Sequence, residues 1–172
     1  RRMGKSTMVL TLEYLFSKGT VGTEGLYCHE HWPVKERYFV MHLNWCNISP
    51  KSGGDFAFHV VDELKDYADY FGITLPQDRS LSNTFKFLIN NIIAKLNDDS
   101  FLSQHPELVN GDRPFSRDNL VLLIDEYDTP LAENLDNSAV FDEITKEYEV
   151  LLATIKSIPN FRFVFLTGIT SY

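Results

Sequence analysis

Hydrophobic positions recur at helical spacing in four segments of the chain. Residues 5–19 carry Met8, Leu12 and Leu15 on one face and close on Gly19, a pattern that predicts a helix of about three turns. Apolar stripes over residues 55–71 and 82–96 predict two successive helices. A further stripe predicts one more helix, and it consists of Phe141, Ile144, Tyr148, Leu151, Leu152 and Ile155.

Three short hydrophobic segments between these helices predict strands. Residues 38–45 are rich in aromatic and β-branched side chains, residues 120–125 are a continuous apolar run that ends in an acid, and residues 161–167 read FRFVFLT. The run at 120–125 is typical of a central parallel strand covered on both faces. Residues 99–119 are polar and predict a surface connection. The element order predicts a three-layer α/β fold with a mostly parallel central sheet.

The length and composition of the chain limit the classes of protein to which it can belong. The chain has 172 residues, 44% of them hydrophobic, and its 13 Phe and 8 Tyr exclude the low hydrophobicity of a disordered chain. We expect a single domain over residues 1–172. No apolar run approaches the ~20 residues of a bilayer span, so we expect a soluble, cytoplasmic protein with no membrane partner. Cys28 and Cys46 are too few for a disulfide framework, and we interpret both as reduced structural thiols.

The charge is negative overall but unevenly distributed. The net charge is -8, yet residues 1–53 carry 7 Lys and Arg against 4 Asp and Glu, whereas residues 54–172 carry 9 against 20. An acidic chain does not fit duplex binding, which draws its affinity from clustered Lys and Arg on phosphates. Nucleic acid is therefore not indicated as a partner of this domain. Local positive charge at the N-terminal end suits a small phosphate ligand.

The first residues contain the closing half of a phosphate-binding loop, G-x-x-x-x-G-K-[ST], also called Walker A. Gly4 lets backbone N–H groups wrap the phosphates, Lys5 neutralises the β and γ charges, and the Ser6 hydroxyl suits Mg²⁺. The helix that follows directs its positive dipole end at the same phosphates. Arg2, Met3 and Thr7 flank these residues and complete the predicted nucleotide-binding set. The first Gly of the pattern would precede Arg1, so we expect a fold truncated before its phosphate-loop strand.

The tripeptide alone is weak evidence, with roughly a one-in-ten chance of arising by accident in a chain of this length. A Gly turn before a helix with a solvated Lys is the alternative. The second feature is the strand at 120–125, which ends in Asp125 and Glu126 at the predicted edge of a parallel sheet, a Walker B arrangement. In such a fold the Asp holds Mg²⁺ and the Glu polarises the attacking water. Both features in this order favour the phosphate-loop interpretation.

Three motifs together resemble the AAA-ATPase-like domain of bacterial P-loop proteins. They are the Arg-Arg-Met-Gly-Lys-Ser start, the Leu-Ile-Asp-Glu-Tyr-Asp end of the second strand and the Leu-Thr-Gly end of the third. The resemblance covers nearly the whole chain, with Met3 in place of the usual aromatic and Asn44 where relatives often have an acid. It implies ATP as the nucleotide, whereas no residue here distinguishes ATP from GTP. It also implies a larger parent, often with a C-terminal restriction-like nuclease domain.

Several residues keep two interpretations. Thr167 senses the γ-phosphate or simply opens a turn before Gly168. Asp128 supports the metal site or belongs to an ordinary Asp-Thr-Pro turn. His29 and His31 lack the spacing of helical metal ligands and suit a solvated loop, and His42 suits a packed strand position.

Three functional hypotheses follow from these residues. The first is a Mg²⁺-dependent ATPase whose catalytic residues are Lys5, Glu126 and Thr167, with Ser6 and Asp125 as metal ligands. Its hydrolysis would drive a conformational change in a larger parent. The second is a nucleotide-gated switch or scaffold with negligible turnover. The third is a nuclease-like metal cluster at the acidic strand end, which would make the Gly-Lys-Ser helix start a coincidence.

Overall fold

The fold consists of three strands and eight helices among residues 4–77 and 79–169, which the computed structural model describes. Arg2 and Met3 lie outside the described residues. The elements are α1 (Lys5–Lys18), α2 (Tyr27–His31), β1 (Arg37–Asn44), α3 (Gly53–Tyr70), α4 (Leu81–Leu96), α5 (Asp99–Gln104), α6 (Pro106–Val109), β2 (Phe115–Asp125), α7 (Thr129–Ala132), α8 (Ser138–Ser157) and β3 (Phe161–Thr167).

The strands form one parallel sheet in the order β1-β2-β3. Its register places Asn44, Asp125 and Thr167 side by side at the carboxyl ends of the three strands. The parallel α/β prediction is therefore confirmed. The predicted segments 120–125 and 161–167 lie within strands, and 38–45 matches β1 except at Trp45, which follows the strand. Ligand sites in open parallel sheets lie beyond this carboxyl edge.

Alternate residues of β2 face two hydrophobic clusters, because successive side chains of a strand point to opposite faces. Leu120, Leu122 and Ile124 pack with the cluster that α3, α4 and α8 complete. Val121 and Leu123 pack with Val9 and Phe16 of α1. All five of these β2 side chains are 0% exposed. Each contributes about 1.5–3 kcal/mol through burial, which accounts for the unbroken apolar run.

Local signals set the ends of the helices. The Ser52 hydroxyl accepts from Asp55 N–H at 3.0 Å at the start of α3, and Asn137 caps α8 by accepting from Val140 N–H at 3.3 Å. Helix α1 ends at Gly19, whose φ of +75° is a left-handed conformation that glycine adopts without a Cβ penalty. Within the described part of the chain, no helix combines the length and apolar character needed to cross a bilayer.

The prediction of an unstructured surface connection at 99–119 is wrong. This segment forms α5, α6 and the first residues of β2, which begins at Phe115. The Asp98 carboxylate caps α5 by accepting from Ser100 N–H at 2.9 Å, and Pro106 occupies the first turn of α6. These helices bury too few side chains to leave an apolar stripe, so periodicity could not reveal them.

Arg37 holds this segment against the sheet. Its guanidinium is 1% exposed and donates to the carbonyl oxygens of Val109 at 2.7 Å and Arg113 at 3.1 Å. Longer bonds reach Leu108 and Ser17, at 3.3 and 3.4 Å. The last carbonyls of α1 and α6 therefore share one buried cation, which their helix dipoles favour.

Candidate nucleotide-binding site

Helix α1 presents its N-terminus beside the carboxyl edge of the sheet. Gly4 precedes it in a left-handed conformation, with φ 73° and ψ 16°, and its carbonyl accepts from Met8 N–H at 2.9 Å. Ser6 and Thr7 are exposed in the first turn of the helix. Gly4 has no side chain to cap this end, so within the described part of the chain the first N–H groups of α1 and its positive dipole end face a site suited to an anion.

The backbone just after the acidic end of β2 has an uncommon conformation. Asp125 is 1% exposed, and its Oδ1 accepts from Glu126 N–H at 3.0 Å. Glu126 has a φ of 54°, the single positive value among the non-glycine residues that the structure describes. This left-handed conformation costs about 1–2 kcal/mol for a residue with a Cβ, and such strain concentrates at functional sites. The turn directs the Glu126 side chain toward α1.

Lys5 and Glu126 meet at this edge. Lys5 Nζ lies 3.7 Å from Glu126 Oε1, and the two side chains are 28% and 23% exposed. A partly exposed pair of this kind adds only about 0–1 kcal/mol to stability. Its importance is positional, because the fold brings the predicted phosphate-loop lysine to the predicted water-activating glutamate.

Thr167 completes the row at the carboxyl edge. It is paired in register with Asp125, it is 8% exposed, and its carbonyl accepts from Tyr127 N–H at 3.0 Å. On the other side of Asp125, the Asn44 Oδ1 accepts from Cys46 N–H at 3.1 Å. Thr167 is thus adjacent to the acidic strand end, as its position at the end of β3 predicts.

Asp128 links the acidic turn, which follows β2 and includes Glu126, to the residues after β3. Its carboxylate is buried, and Oδ2 accepts from Ile169 N–H at 2.6 Å. Gly168 makes the approach possible, since a Cβ there would lie 2.5 Å from Asp128 Cγ. Thr129 N–H also donates to Glu126 O at 3.1 Å in the turn. Asp128 therefore combines a turn position with a tertiary link, a role that the sequence did not single out.

Comparisons with known proteins agree with these motifs. The profile of the AAA-ATPase-like family, described as predicted AAA-ATPase, matches residues 1–172. The chain belongs to this predicted AAA-ATPase family. An uncharacterized protein in the vnfD 5' region of Azotobacter chroococcum mcd 1 is 25% identical over 173 residues, which cover 100% of this chain and 30% of that relative. The chain thus spans under a third of the relative's length. No solved structure matches it.

In this AAA-ATPase-like chain, an aromatic cluster contacts the acidic turn, which carries Glu126, Tyr127 and Asp128. The Tyr148 hydroxyl of α8 donates to the Tyr127 carbonyl. Tyr148 stacks on Phe56 with ring centroids 4.7 Å apart, and Trp45 meets both rings edge to face. In the sequence Tyr148 is only one position of a helical apolar stripe, and no sequence signal marks its hydrogen bond. The cluster ties α3 and α8 to the turn that carries Glu126.

A cavity of about 280 Å³ opens beside Glu126 and Asp128. It is also lined by Cys46, Thr129 and Glu133. Cys28 and Cys46 are both free thiols, as the prediction of reduced thiols requires. Cys28 is half-buried, whereas Cys46 is exposed and does not have the structural role expected of it. The loop after β1 carries Cys46 away from the core, because Trp45 takes the buried position next to it.

The oxygen donors at this edge fit a magnesium ion. Among the described residues, no group of three or more His, Cys, Asp or Glu side chains could hold a metal. Mg²⁺ characteristically takes one or two protein oxygens and completes its shell with water and substrate phosphates. The Asp125 carboxylate and the exposed Ser6 hydroxyl have the chemistry of that smaller set.

The histidines lie away from this edge. His29 Nδ1 contacts Thr20 O at 3.1 Å and Thr23 Oγ1 at 3.2 Å, and His31 Nδ1 contacts Tyr27 O at 2.9 Å. His42 Nδ1 lies 2.8 Å from Glu13 Oε2 of α1. His42 is half-buried on β1, in agreement with a packed strand position. The solvated loop expected at His29 and His31 is wrong, because these residues lie on helix α2.

Proposed function

We propose that this domain binds ATP with Mg²⁺ at the carboxyl edge of the sheet and hydrolyses it. Gly4, Lys5 and the first N–H groups of α1 receive the phosphates, with Arg2, Met3 and Thr7 as the flanking loop residues. Ser6 and Asp125 would hold the Mg²⁺ ion, which would supply charge neutralisation to the phosphates. The proposed choice of ATP over GTP follows the family description.

The contact between Lys5 and Glu126, at 3.7 Å, is the observation that carries this proposal. A lysine at a helix N-terminus and a carboxylate after a buried Asp are what phosphoryl transfer to water requires. In the proposed reaction Lys5 leaves Glu126 for the phosphates. Glu126 then orients the attacking water and accepts its proton, while Thr167 contacts the γ-phosphate from the neighbouring strand end.

The sheet suggests where the first half of the phosphate loop belongs. Strand β3 has β2 as its one neighbour among the described strands, and Phe163, Val164 and Phe165 on it are only half-buried. We place the phosphate-loop strand against this open side of β3, which would bring its end to Gly4. The result would be the three-layer P-loop arrangement. Hydrolysis would then act on further parts of a larger protein, in keeping with a relative over three times as long.

A nucleotide-gated switch is the second candidate. The ion pair between Lys5 and Glu126 is compatible with it, because a nucleotide that draws Lys5 to its phosphates would release the Glu126 carboxylate without any turnover. The metal-cluster hypothesis is weaker, since Asp128 turns to Ile169 N–H and Glu126 turns to Lys5.

Phosphate release by a Glu126→Gln variant distinguishes the ATPase from the nucleotide-gated switch. We expect it to retain Mg²⁺-ATP binding and to lose about 10²-fold or more in phosphate release, because the general base is gone. Glu133→Gln is the matched control, since Glu133 lines the same cavity but is exposed at the C-terminal end of α7, after the turn that carries Glu126. Unchanged phosphate release in Glu126→Gln would reject the ATPase and favour the switch.

A further inference from the structure

A groove follows the outer edge of β1, between α1 and α3. A cavity of about 370 Å³ is lined there by Glu13, Phe39, Val40, Asp66, Tyr67 and Tyr70. A second cavity of about 160 Å³ adjoins it, shares Glu13, Phe39 and Val40, and extends toward Glu107 and Lys18. We call the two together the β1-edge groove. It lies along the middle of the strand, away from the carboxyl edge that carries Lys5 and Glu126.

The edge of β1 is capped at one residue and open at another. The Tyr67 hydroxyl accepts from His42 N–H and donates to His42 O, both at 2.8 Å. The backbone groups of His42 therefore point away from β2. Residues two apart in a parallel strand direct these groups to the same side, so the N–H and C=O of Val40 face the groove. No side chain among the described residues bonds to them, which leaves a short strand edge for pairing.

Three aromatic rings form fixed walls beside this edge. Phe39 stacks with Tyr70 at 6.1 Å and 18°, and meets Tyr67 edge to face at 6.1 Å. Tyr67 is anchored through His42, and the Tyr70 hydroxyl donates to Glu107 Oε1 at 2.8 Å. Because both hydroxyls are engaged, the rings are already oriented before any ligand enters. Aromatic faces of this kind attract cationic groups.

The charge at the groove is negative. Glu13 and Asp66 line the main cavity, and none of the Lys or Arg residues that the structure describes does. Burial raises the pKa of Tyr67 to about 12, and the nearby carboxylates Glu13, Glu63 and Asp66 add to that increase. Among the described residues, Lys18 is the one cation that lines the adjoining cavity, where Glu107 balances its charge. The groove therefore favours a positively charged occupant.

We propose that the β1-edge groove binds an extended polypeptide segment that carries an arginine or lysine. The backbone of the segment pairs with Val40, and its cationic side chain enters between Tyr67 and Tyr70 toward Asp66 and Glu13. Strand addition supplies the affinity through main-chain hydrogen bonds, and the charged, aromatic cavity supplies the selectivity. This interaction does not depend on nucleotide hydrolysis, because it uses none of the residues at the carboxyl edge.

The test uses two seven-residue peptides of alternating Thr and Val with one central variable position. One carries arginine there, and the other carries citrulline, its uncharged isostere. Amide and aromatic NMR signals of the isotope-labelled protein are followed during titration. We expect the arginine peptide to shift the Val40 amide and the Tyr67 and Tyr70 rings and to slow hydrogen exchange at Val40. We expect the citrulline peptide to bind about fivefold more weakly, as one ion pair of this exposure implies.

Matched variants of α3 locate the interaction. Asp66→Asn should weaken binding of the arginine peptide about fivefold. Asp69→Asn should leave it unchanged, because Asp69 is equally exposed on the same helix but lines a different cavity. The melting temperature of each variant shows whether its fold is intact.

The proposal is overturned by no shift at Val40 with either peptide, by equal affinity for the two peptides, or by equal weakening by Asp69→Asn. A shift of the rings with free arginine but none at Val40 with the peptide would also overturn it, because the occupant would then be a small cation.

Discussion

Replacing Gly168 with alanine tests how the acidic turn is joined to the end of β3. Gly168 does not adopt a left-handed conformation, so alanine is acceptable to the backbone and any effect comes from contact. The new Cβ would lie 2.5 Å from Asp128 Cγ and closer still to Asp128 Oδ1. The carboxylate must move, and its 2.6 Å bond from Ile169 N–H must lengthen or break.

The expected loss of stability follows from two overlapping costs. Overpacking a tight contact costs about 1–3 kcal/mol. Loss of a hydrogen bond to a buried charged group costs about 1.5–3 kcal/mol. One displacement of Asp128 causes both, so we expect Gly168→Ala to lower the free energy of unfolding by about 2–4 kcal/mol. For a chain of this size the melting temperature should fall by roughly 5–15 °C.

Gly54→Ala is the control, measured by the same thermal and urea unfolding. A Cβ there would meet only Ser52 Oγ, at 3.9 Å, inside α3. The change should be neutral or stabilise by up to about 1 kcal/mol, because alanine favours a helix. In a double-mutant cycle, Gly168→Ala should cost little when Asp128 is already alanine. Melting of Gly168→Ala within about 1 °C of the wild type, or full additivity with Asp128→Ala, would refute the reasoning.

Two further predictions concern buried charge. Arg37→Met should lower the free energy of unfolding, measured in urea, by about 2–4 kcal/mol, because the carbonyls at the ends of α1 and α6 lose their cation. The control Lys35→Met, at an exposed position, should change the free energy of unfolding by less than about 0.5 kcal/mol. Equal effects of the two substitutions would contradict this prediction. Burial raises the pKa of Glu63 from 4.5 to about 7, so the folded state holds a proton that the unfolded state releases, and stability falls as pH rises through that window. The Glu63→Gln variant should therefore gain stability relative to the wild type as the pH rises from about 4.5 to about 8. Glu149→Gln, at an exposed position, is the control. If the difference in stability between Glu63→Gln and the wild type does not change with pH, Glu63 is not held neutral.

The sequence predicted those elements whose residue pattern has one dominant physical cause. The run at 120–125 is apolar on every residue before Asp125 because helices cover both faces of β2, and so short an unbroken run is typical of a central parallel strand. Likewise, the contact between Lys5 and Glu126 follows once α1 and β2 are placed, since the N-terminus of α1 and the end of β2 lie at the same edge of the sheet.

The elements that the sequence did not predict depend on contacts between distant residues. Arg37 reads as an ordinary charged residue at the start of a strand, and only the folded chain brings four carbonyls around it. The link between Asp128 and Ile169 joins segments that follow different strands, and Gly168 matters only because of that approach. Helices α5 and α6 are too short and too polar for a periodic signal.

Binding of Mg²⁺-ATP by the full-length protein tests the central claim most directly. Calorimetric titration should be compared for the wild type, for Lys5→Ala and for Lys18→Ala, which removes a lysine from the opposite end of the same helix. We predict that Lys5→Ala weakens binding at least about 10-fold, because it removes a positive charge from the β- and γ-phosphates, whereas Lys18→Ala binds as the wild type does. Equal affinity of Lys5→Ala and the wild type would contradict the assignment of this helix N-terminus as the phosphate site.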